Sequence, residues 1–207
     1  MKKAIVFDLD GTLWDSTHTV LPVWNAAFLR GGARSVTHAE LCSYMGKTMA
    51  QIAEIVMPDF PTERRIAVMQ ECFRGEQPVL RAQGARLYPG LEEVLALLFP
   101  HYALSIVSNC QDGYIEAFLA HYGFGRYFSD YECAKTGLTK GENIALLCRR
   151  NEIEQAVYVG DTQADQAAAA AAGIPFIWAR YGFGTMDACV PSIGTLAELP
   201  GVLEKMF

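Results

Sequence analysis

Nothing in the chain's 207 residues pairs its six cysteines. Cys42, Cys72, Cys110, Cys133, Cys148 and Cys189 stand singly, with no Cys-x-x-Cys and no histidine at zinc-finger spacing, which excludes a disulfide scaffold or a zinc knuckle and predicts free thiols in a reducing compartment. Long apolar runs are missing too. The longest weakly polar stretch, residues 167 to 179, holds Gly173 and Pro175 and falls short of the ~20 residues that a membrane span needs. Only four apolar residues separate Lys3 from Asp8, too few for a signal-peptide core of ~7 to 15. The expected location is therefore cytoplasmic, with no membrane partner. Cations are scarce: 17 Lys and Arg face 23 Asp and Glu, a net charge of −6. That balance argues against nucleic acid as a partner, since affinity for it rests on clustered Lys and Arg. No repeat and no low-complexity tract appears.

What is present is a series of short apolar runs, each stopped by a polar residue. Ala4 to Phe7 ends at Asp8, Leu104 to Val107 at Ser108-Asn109, and Ala156 to Val159 at Gly160-Asp161, while a fourth run spans Ile174 to Trp178. Each has strand length and composition and is followed by turn chemistry and a helical pattern. Leu91, Val94, Leu95 and Leu98 share one helix face, as do Ile144, Leu147 and Cys148 behind a Thr139-x-x-Glu142 capping box. Alternating strands and helices predict an α/β fold, a Rossmann-like parallel sheet covered on both faces. In such sheets ligands gather at the carboxyl ends of the strands. Asp8, Ser108 and Asp161 converge there.

One stretch breaks the alternation. From Asp15 to Arg86 the apolar residues keep helical spacing (Leu21, Trp24, Phe28; Ile52, Ile55, Val56), punctuated by Pro58, Pro61 and Pro78, with no convincing strand. The expected division is a core of residues 1–14 and 87–207 with a helical cap of residues 15–86 inserted after the first strand.

Asp8-Leu9-Asp10-Gly11-Thr12 places two carboxylates two residues apart after a strand. If the extended conformation persists, both point the same way, and Gly11 allows a sharp turn beneath a ligand. An acidic pair before glycine also serves as a plain turn and helix cap. The other strand ends favour chemistry, because they bring a hydroxyl and amide (Ser108, Asn109) and a second acidic pair (Asp161, Asp165) to the same edge. Phe7 to Leu13, Ser108-Asn109, a downstream lysine and Gly160-Asp161-Thr162-x-x-Asp165 together resemble the four ordered motifs of the haloacid dehalogenase superfamily. The likeness spans nearly the whole chain. Leu87 to Leu91 is similar to the segment that returns from the helical cap in phosphoglycolate-phosphatase-like and β-phosphoglucomutase-like members.

An anionic nucleophile attacking a phosphate monoester needs a cation, and so do crowded carboxylates. Asp8, Asp161, a backbone carbonyl within Asp8 to Asp10 and waters make an all-oxygen set suited to Mg²⁺; the resemblance implies that the carbonyl is that of Asp10. It also implies that Asp8 attacks phosphorus to give an aspartyl phosphate that water hydrolyses, with Asp10 as acid and base. Ser108 and the Asn109 N–H are expected to hold phosphoryl oxygens, with Thr12 beside them. Lys140 is expected to offset the charge, with Lys135 as its competitor, since the Lys-Pro pair common in relatives is absent here. Asp165 reads as a metal ligand, an orienter of one, or a cap of the alanine-rich helix. His18, Lys47 and Arg81 in the insert read as solvated surface groups, with contact to substrate the alternative.

The resulting expectation is a Mg²⁺-dependent phosphatase acting on a small phosphorylated metabolite, of undetermined oligomeric state. A phosphomutase is the first alternative, disfavoured by Thr12 where mutase-like relatives often carry valine. A signalling phosphoacceptor, also built on aspartate, Mg²⁺ and lysine, is disfavoured by the long insert and by Asp10; dehalogenation gives the carboxylate cluster no obvious use.

Overall fold

A computed structural model describes residues 1–186 and 189–207. The apolar run after Lys2 forms β1 (Lys3–Phe7), followed by a short β2 (Trp14–Asp15). Four helices come next: α1 (Thr17–Arg30), α2 (His38–Tyr44), α3 (Met49–Val56) and α4 (Thr62–Gln83). β3 (Arg86–Leu87) then returns antiparallel to β2, pairing Trp14 with Leu87 and Asp15 with Arg86. Beyond it the chain alternates: α5 (Leu91–Leu98), β4 (Ala103–Val107), α6 (Tyr114–Tyr122), β5 (Phe128–Glu132), α7 (Lys140–Arg150), β6 (Gln155–Gly160), α8 (Gln163–Ala172), β7 (Phe176–Ala179), β8 (Ser192–Ile193) and α9 (Leu199–Leu203).

Six strands form one parallel sheet in the order β5-β4-β1-β6-β7-β8. β1 is central, and the strand period of two sends its residues to opposite faces. Ile5 and Phe7 join an apolar cluster with α5, α6 and α9, whereas Val6 joins Tyr158, Ile144, Leu147, Ala168 and Ala169 beneath α7 and α8. Both faces are thus covered by helices, which is why these strands are uninterrupted apolar runs. The fold is the α/β Rossmann-like architecture expected. Among the described residues no helix is long and apolar enough to cross a membrane, and all six cysteines are free thiols.

Three elements were not legible as strands. The ribbon β2–β3 is two residues on each side, too short to carry a period. β8 is equally short. β5 reads Phe-Ser-Asp-Tyr-Glu, a polar pattern suited to a sheet edge; Arg150 caps it by binding Asp130 at 2.8 Å and Glu132 at 2.5 Å.

Helix α7 begins Lys140-Gly141, and the glycine has a packing reason. A Cβ there would lie 2.9 Å from the Ala168 carbonyl oxygen and 2.9 Å from the Ala171 methyl. The alanine run of α8 and Gly141 together let the two helices approach closely. That approach brings Lys140 and Asp165 within reach of each other.

Candidate active site

The predicted carboxylates meet at the carboxyl end of the sheet. Asp8 ends β1, its N–H donating to the Val159 carbonyl at 2.8 Å, and Asp161 ends β6. One carboxylate oxygen from each of Asp8, Asp161 and Asp165 falls within 4.8 Å of the others, all three residues buried. Lys140 enters from the start of α7, its ammonium donating to Asp8 Oδ1 at 2.7 Å and to Asp165 Oδ1 at 2.5 Å. Lys135 lies elsewhere, exposed and paired with Asp112 at 3.0 Å.

Asp165 caps its helix and pairs with Lys140. Its Oδ2 accepts from the Thr162 N–H at 2.9 Å and the Thr162 hydroxyl at 2.7 Å, completing a capping box on α8, while Oδ1 takes Lys140. Asp161 is held by Phe183 N–H donating to Oδ2 at 2.7 Å; its Oδ1 is buried with no partner. An orphaned anionic oxygen is costly unless something positive meets it. Gly11 makes room for this group: at φ +86° it turns the chain where a Cβ would sit 2.3 Å from Asp161 Oδ2. Three clustered carboxylates with one free oxygen fit a hard divalent cation of the Mg²⁺ class. Asp8 and Asp161 are the side chains placed to hold it, with Asp165 behind them.

Asp10 is turned another way. Its Oδ1 accepts from the Ser16 hydroxyl at 2.5 Å, and Ser16 in turn accepts from the Tyr114 hydroxyl at 2.7 Å. The Asp10 side chain is therefore apart from the three-carboxylate cluster. Burial pushes the Asp10 carboxyl up to about 7, against the hydrogen bonds from Ser16 and Tyr114, with the Asp8 charge adding to the rise. Burial also lifts Asp8, to about 6, and Lys140 holds it from going further. For Lys140 burial opposes the charge, but Asp165 and Asp8 outweigh it and raise the ammonium well above the ordinary lysine value. Asp161 is raised well above the carboxylate range by burial, then by Asp165 and Asp8.

A small cavity of about 50 Å³ opens on Asp8, Asp10, Ser108 and Asn109 and is roofed by residues of α1 and α3 and of the loop between α2 and α3. The Asn109 amide donates to the Gly46 carbonyl at 3.0 Å, bridging the sheet edge to that loop. On the far side of this bridge lies a cleft of about 620 Å³ bordered by Lys140, Thr162 and Gly184. Thr12 lines neither space: it is fully buried, its hydroxyl unpartnered, its carbonyl accepting from the Tyr181 hydroxyl at 2.9 Å. Of the insert's polar residues, Lys47 borders both spaces. His18 instead stacks on His38 with centroids 4.0 Å apart, and the Arg81 carbonyl meets His121 Nδ1 at 2.9 Å.

Sequence reading had passed over Ser16, Tyr114, Gln111 and Glu76. Ser16 follows Asp10 by six positions and carried a faint signal as a helix start. Tyr114 and Glu76 reach the site only through tertiary folding, and nothing in their local sequence marks them.

With the geometry in place, comparison with known proteins is informative. Residues 5–179 match the family of haloacid dehalogenase-like hydrolases. The chain belongs to that family. It is a hydrolase of the phosphatase type. A phosphoglycolate phosphatase of Xanthomonas campestris is 29% identical over 198 residues, covering 89% of this chain and 86% of the relative. One from Synechococcus elongatus is also 29% identical, covering 91% and 88%. Among solved structures, a haloacid dehalogenase-like hydrolase from Streptococcus pneumoniae superposes with a TM-score of 0.82 at 20% identity, covering 98% of both chains. A Rhodobacter sphaeroides protein crystallised with xylulose 1,5-bisphosphate gives 0.80 at 20% identity, covering 96% of both. Those superpositions speak for the fold.

Proposed function

We propose that the chain hydrolyses the phosphate monoester of a small metabolite, with Mg²⁺ as cofactor and Asp8 as nucleophile. The observation that carries this reading is the pairing of roles at the end of β1: Asp8 is bound by Lys140, while Asp10, two residues on, is held apart by Ser16 and faces the same cavity. Asp8 and Asp161 would hold Mg²⁺, which when bound would supply positive charge to the carboxylates and the phosphoryl group.

The chain's own groups account for the remaining steps. An Asp8 carboxylate oxygen forms a bond to phosphorus as the bond from phosphorus to the substrate's ester oxygen breaks, and the departing alkoxide takes the proton of Asp10. Asp10 is suited to this because burial raises it to about 7, so that it can both give and take a proton near neutral pH. Ser16 and Tyr114 fix the direction in which its proton is offered. In the second half Asp10, now anionic, takes a proton from water as the water oxygen attacks the aspartyl phosphate, releasing phosphate and restoring Asp8. Lys140 offsets negative charge on Asp8 throughout, and Ser108 with the Asn109 N–H supplies donors for the phosphoryl oxygens. Residues 15–86 serve as a lid that excludes water while the acyl phosphate exists.

The test is a screen of phosphorylated metabolites with Mg²⁺, scored for released phosphate, alongside Asp8→Asn. Asp8→Asn should keep the fold and lose nearly all turnover, because an amide is close in size but a poor nucleophile. Unimpaired hydrolysis by that variant would remove the nucleophile and the mechanism with it, and formation of an isomer in place of free phosphate would make the enzyme a mutase.

A further inference from the structure

The small cavity says more than that a phosphate ester is accepted. On the reading that the chain is a phosphatase, the alcohol's oxygen must leave beside Asp10, which borders the small cavity and not the wide cleft beyond the Gly46–Asn109 bridge. The leaving alcohol therefore sits in the small cavity. Its roof is apolar, made by Val20, Trp24, Tyr44, Met45, Met49 and Ile52. Its size is about 50 Å³, space for only a few waters at roughly 10 to 15 Å³ each. The phosphoryl group and a short alcohol fill it.

Charge narrows the choice further. Lys140, the cation closest to the reacting groups, is already shared by Asp8 and Asp165. Lys47, on an exposed loop, also borders the wide cleft, where water can solvate it. Behind the roof, Glu76 is fully buried beside Trp24, a further acid rather than a base. Among the described residues that line the cavity, a carboxylate on the alcohol would meet Asp10 and apolar side chains, with the exposed Lys47 the one cation there. One group does await a partner. Gln111 borders the cavity, and its Nε2 and Oε1 are both buried with no hydrogen bond. An amide offers one acceptor and a donor pair, which suits a hydroxyl.

We infer that the substrate is the phosphate ester of a short, uncharged alcohol bearing a hydroxyl read by Gln111, rather than an ester carrying a carboxylate. The curated relatives are named for phosphoglycolate, so the inference sets this chain apart from them in specificity.

The experiment compares kcat/KM, with Mg²⁺, for glycerol phosphate, propyl phosphate, phosphoglycolate and glucose 6-phosphate in the intact protein, Gln111→Leu and Lys47→Met. Leaving a buried polar group unpaired typically costs one to two orders of magnitude in affinity. Glycerol phosphate should therefore exceed phosphoglycolate by at least ~10-fold and glucose 6-phosphate by more. Gln111→Leu should cut the ratio of glycerol phosphate to propyl phosphate about 10-fold, a readout that a general loss of folding or turnover would not move. A preference for phosphoglycolate, above all one abolished by Lys47→Met, overturns the inference and leaves the phosphatase reading standing. An unchanged ratio in folded Gln111→Leu overturns the role of Gln111. Absence of turnover on all four esters counts against the phosphatase reading and takes the inference with it.

Discussion

Glu76 gives the sharpest thermodynamic test of the interior of the α1–α4 segment. Its side chain is fully buried on α4, Oε2 accepting from the Trp24 indole at 2.5 Å and Oε1 without a partner. Burial raises its carboxyl from 4.5 to about 8, opposed by the indole bond and helped by Asp10. Between those two values the native state holds a proton that the unfolded chain has released. Native stability therefore falls as pH rises through that window, by about 1.4 kcal/mol per unit. Glu76→Gln keeps an acceptor for Trp24 and removes the titration. Its unpartnered amide adds a penalty of ~1 to 3 kcal/mol, but that penalty does not depend on pH. Urea unfolding of both proteins without Mg²⁺ at pH 5.5 and 7.0 isolates the effect, because Asp8, Asp10 and Asp161 are common to both. Over 1.5 pH units the stability of the glutamine variant relative to the parent should rise by about 2 kcal/mol, with equal m-values. A difference that stays constant within ~0.5 kcal/mol would refute the claim that this carboxyl is protonated in the native state.

Further outcomes follow from the site. Lys140→Ala should lower kcat by ~10² to 10³, the usual cost of one charge-stabilising donor, while Lys135→Ala, at an exposed ion pair, should stay within about twofold; the reverse ranking in steady-state assays moves the role to Lys135. Gly11→Ala should raise the Mg²⁺ concentration for half-maximal activity at least ~10-fold, since its Cβ would displace Asp161 from a backbone conformation that L side chains avoid. An unaltered Mg²⁺ titration counts against that crowding. Excess chelator should abolish phosphate release without melting the far-ultraviolet circular dichroism signal, because the apolar clusters form the core without a metal. Sustained turnover in chelator would dismiss the carboxylates as a cation site.

Much of this arrangement could be read before any coordinates. Strands β1, β4 and β6 are buried beyond their first residue, so their apolar runs are unambiguous, and each stops at a residue that faces the site. The capping boxes of Thr139 with Glu142 and of Thr162 with Asp165 are local chemistry, and they are present. β5 escaped notice because a sheet edge selects for charge over period. The Ser16–Tyr114 link escaped because its residues lie 98 positions apart and meet only when α6 packs beside β2. Asp165 reads in the sequence as a metal ligand, an orienter of one or a cap; in the structure one of its oxygens caps α8 and the other pairs with Lys140. What local sequence could not express was vacancy of partners, as at Gln111 and Glu76, since an unsatisfied atom is defined by everything around it.

The strand order also has a consequence for synthesis. β1 is made first, yet its neighbours are β4 and β6, with Phe7 opposite Ile106 on one side and Val159 on the other. A nascent chain must therefore keep its first strand waiting while the four helices of the insert emerge and α1 packs against α4. Asp8 and Asp10 are synthesised long before Lys140, Asp161 and Asp165. No fragment that stops short of Asp165 can assemble the charge cluster. The start of α8 completes it, and β7 and β8 then extend the sheet beyond β6.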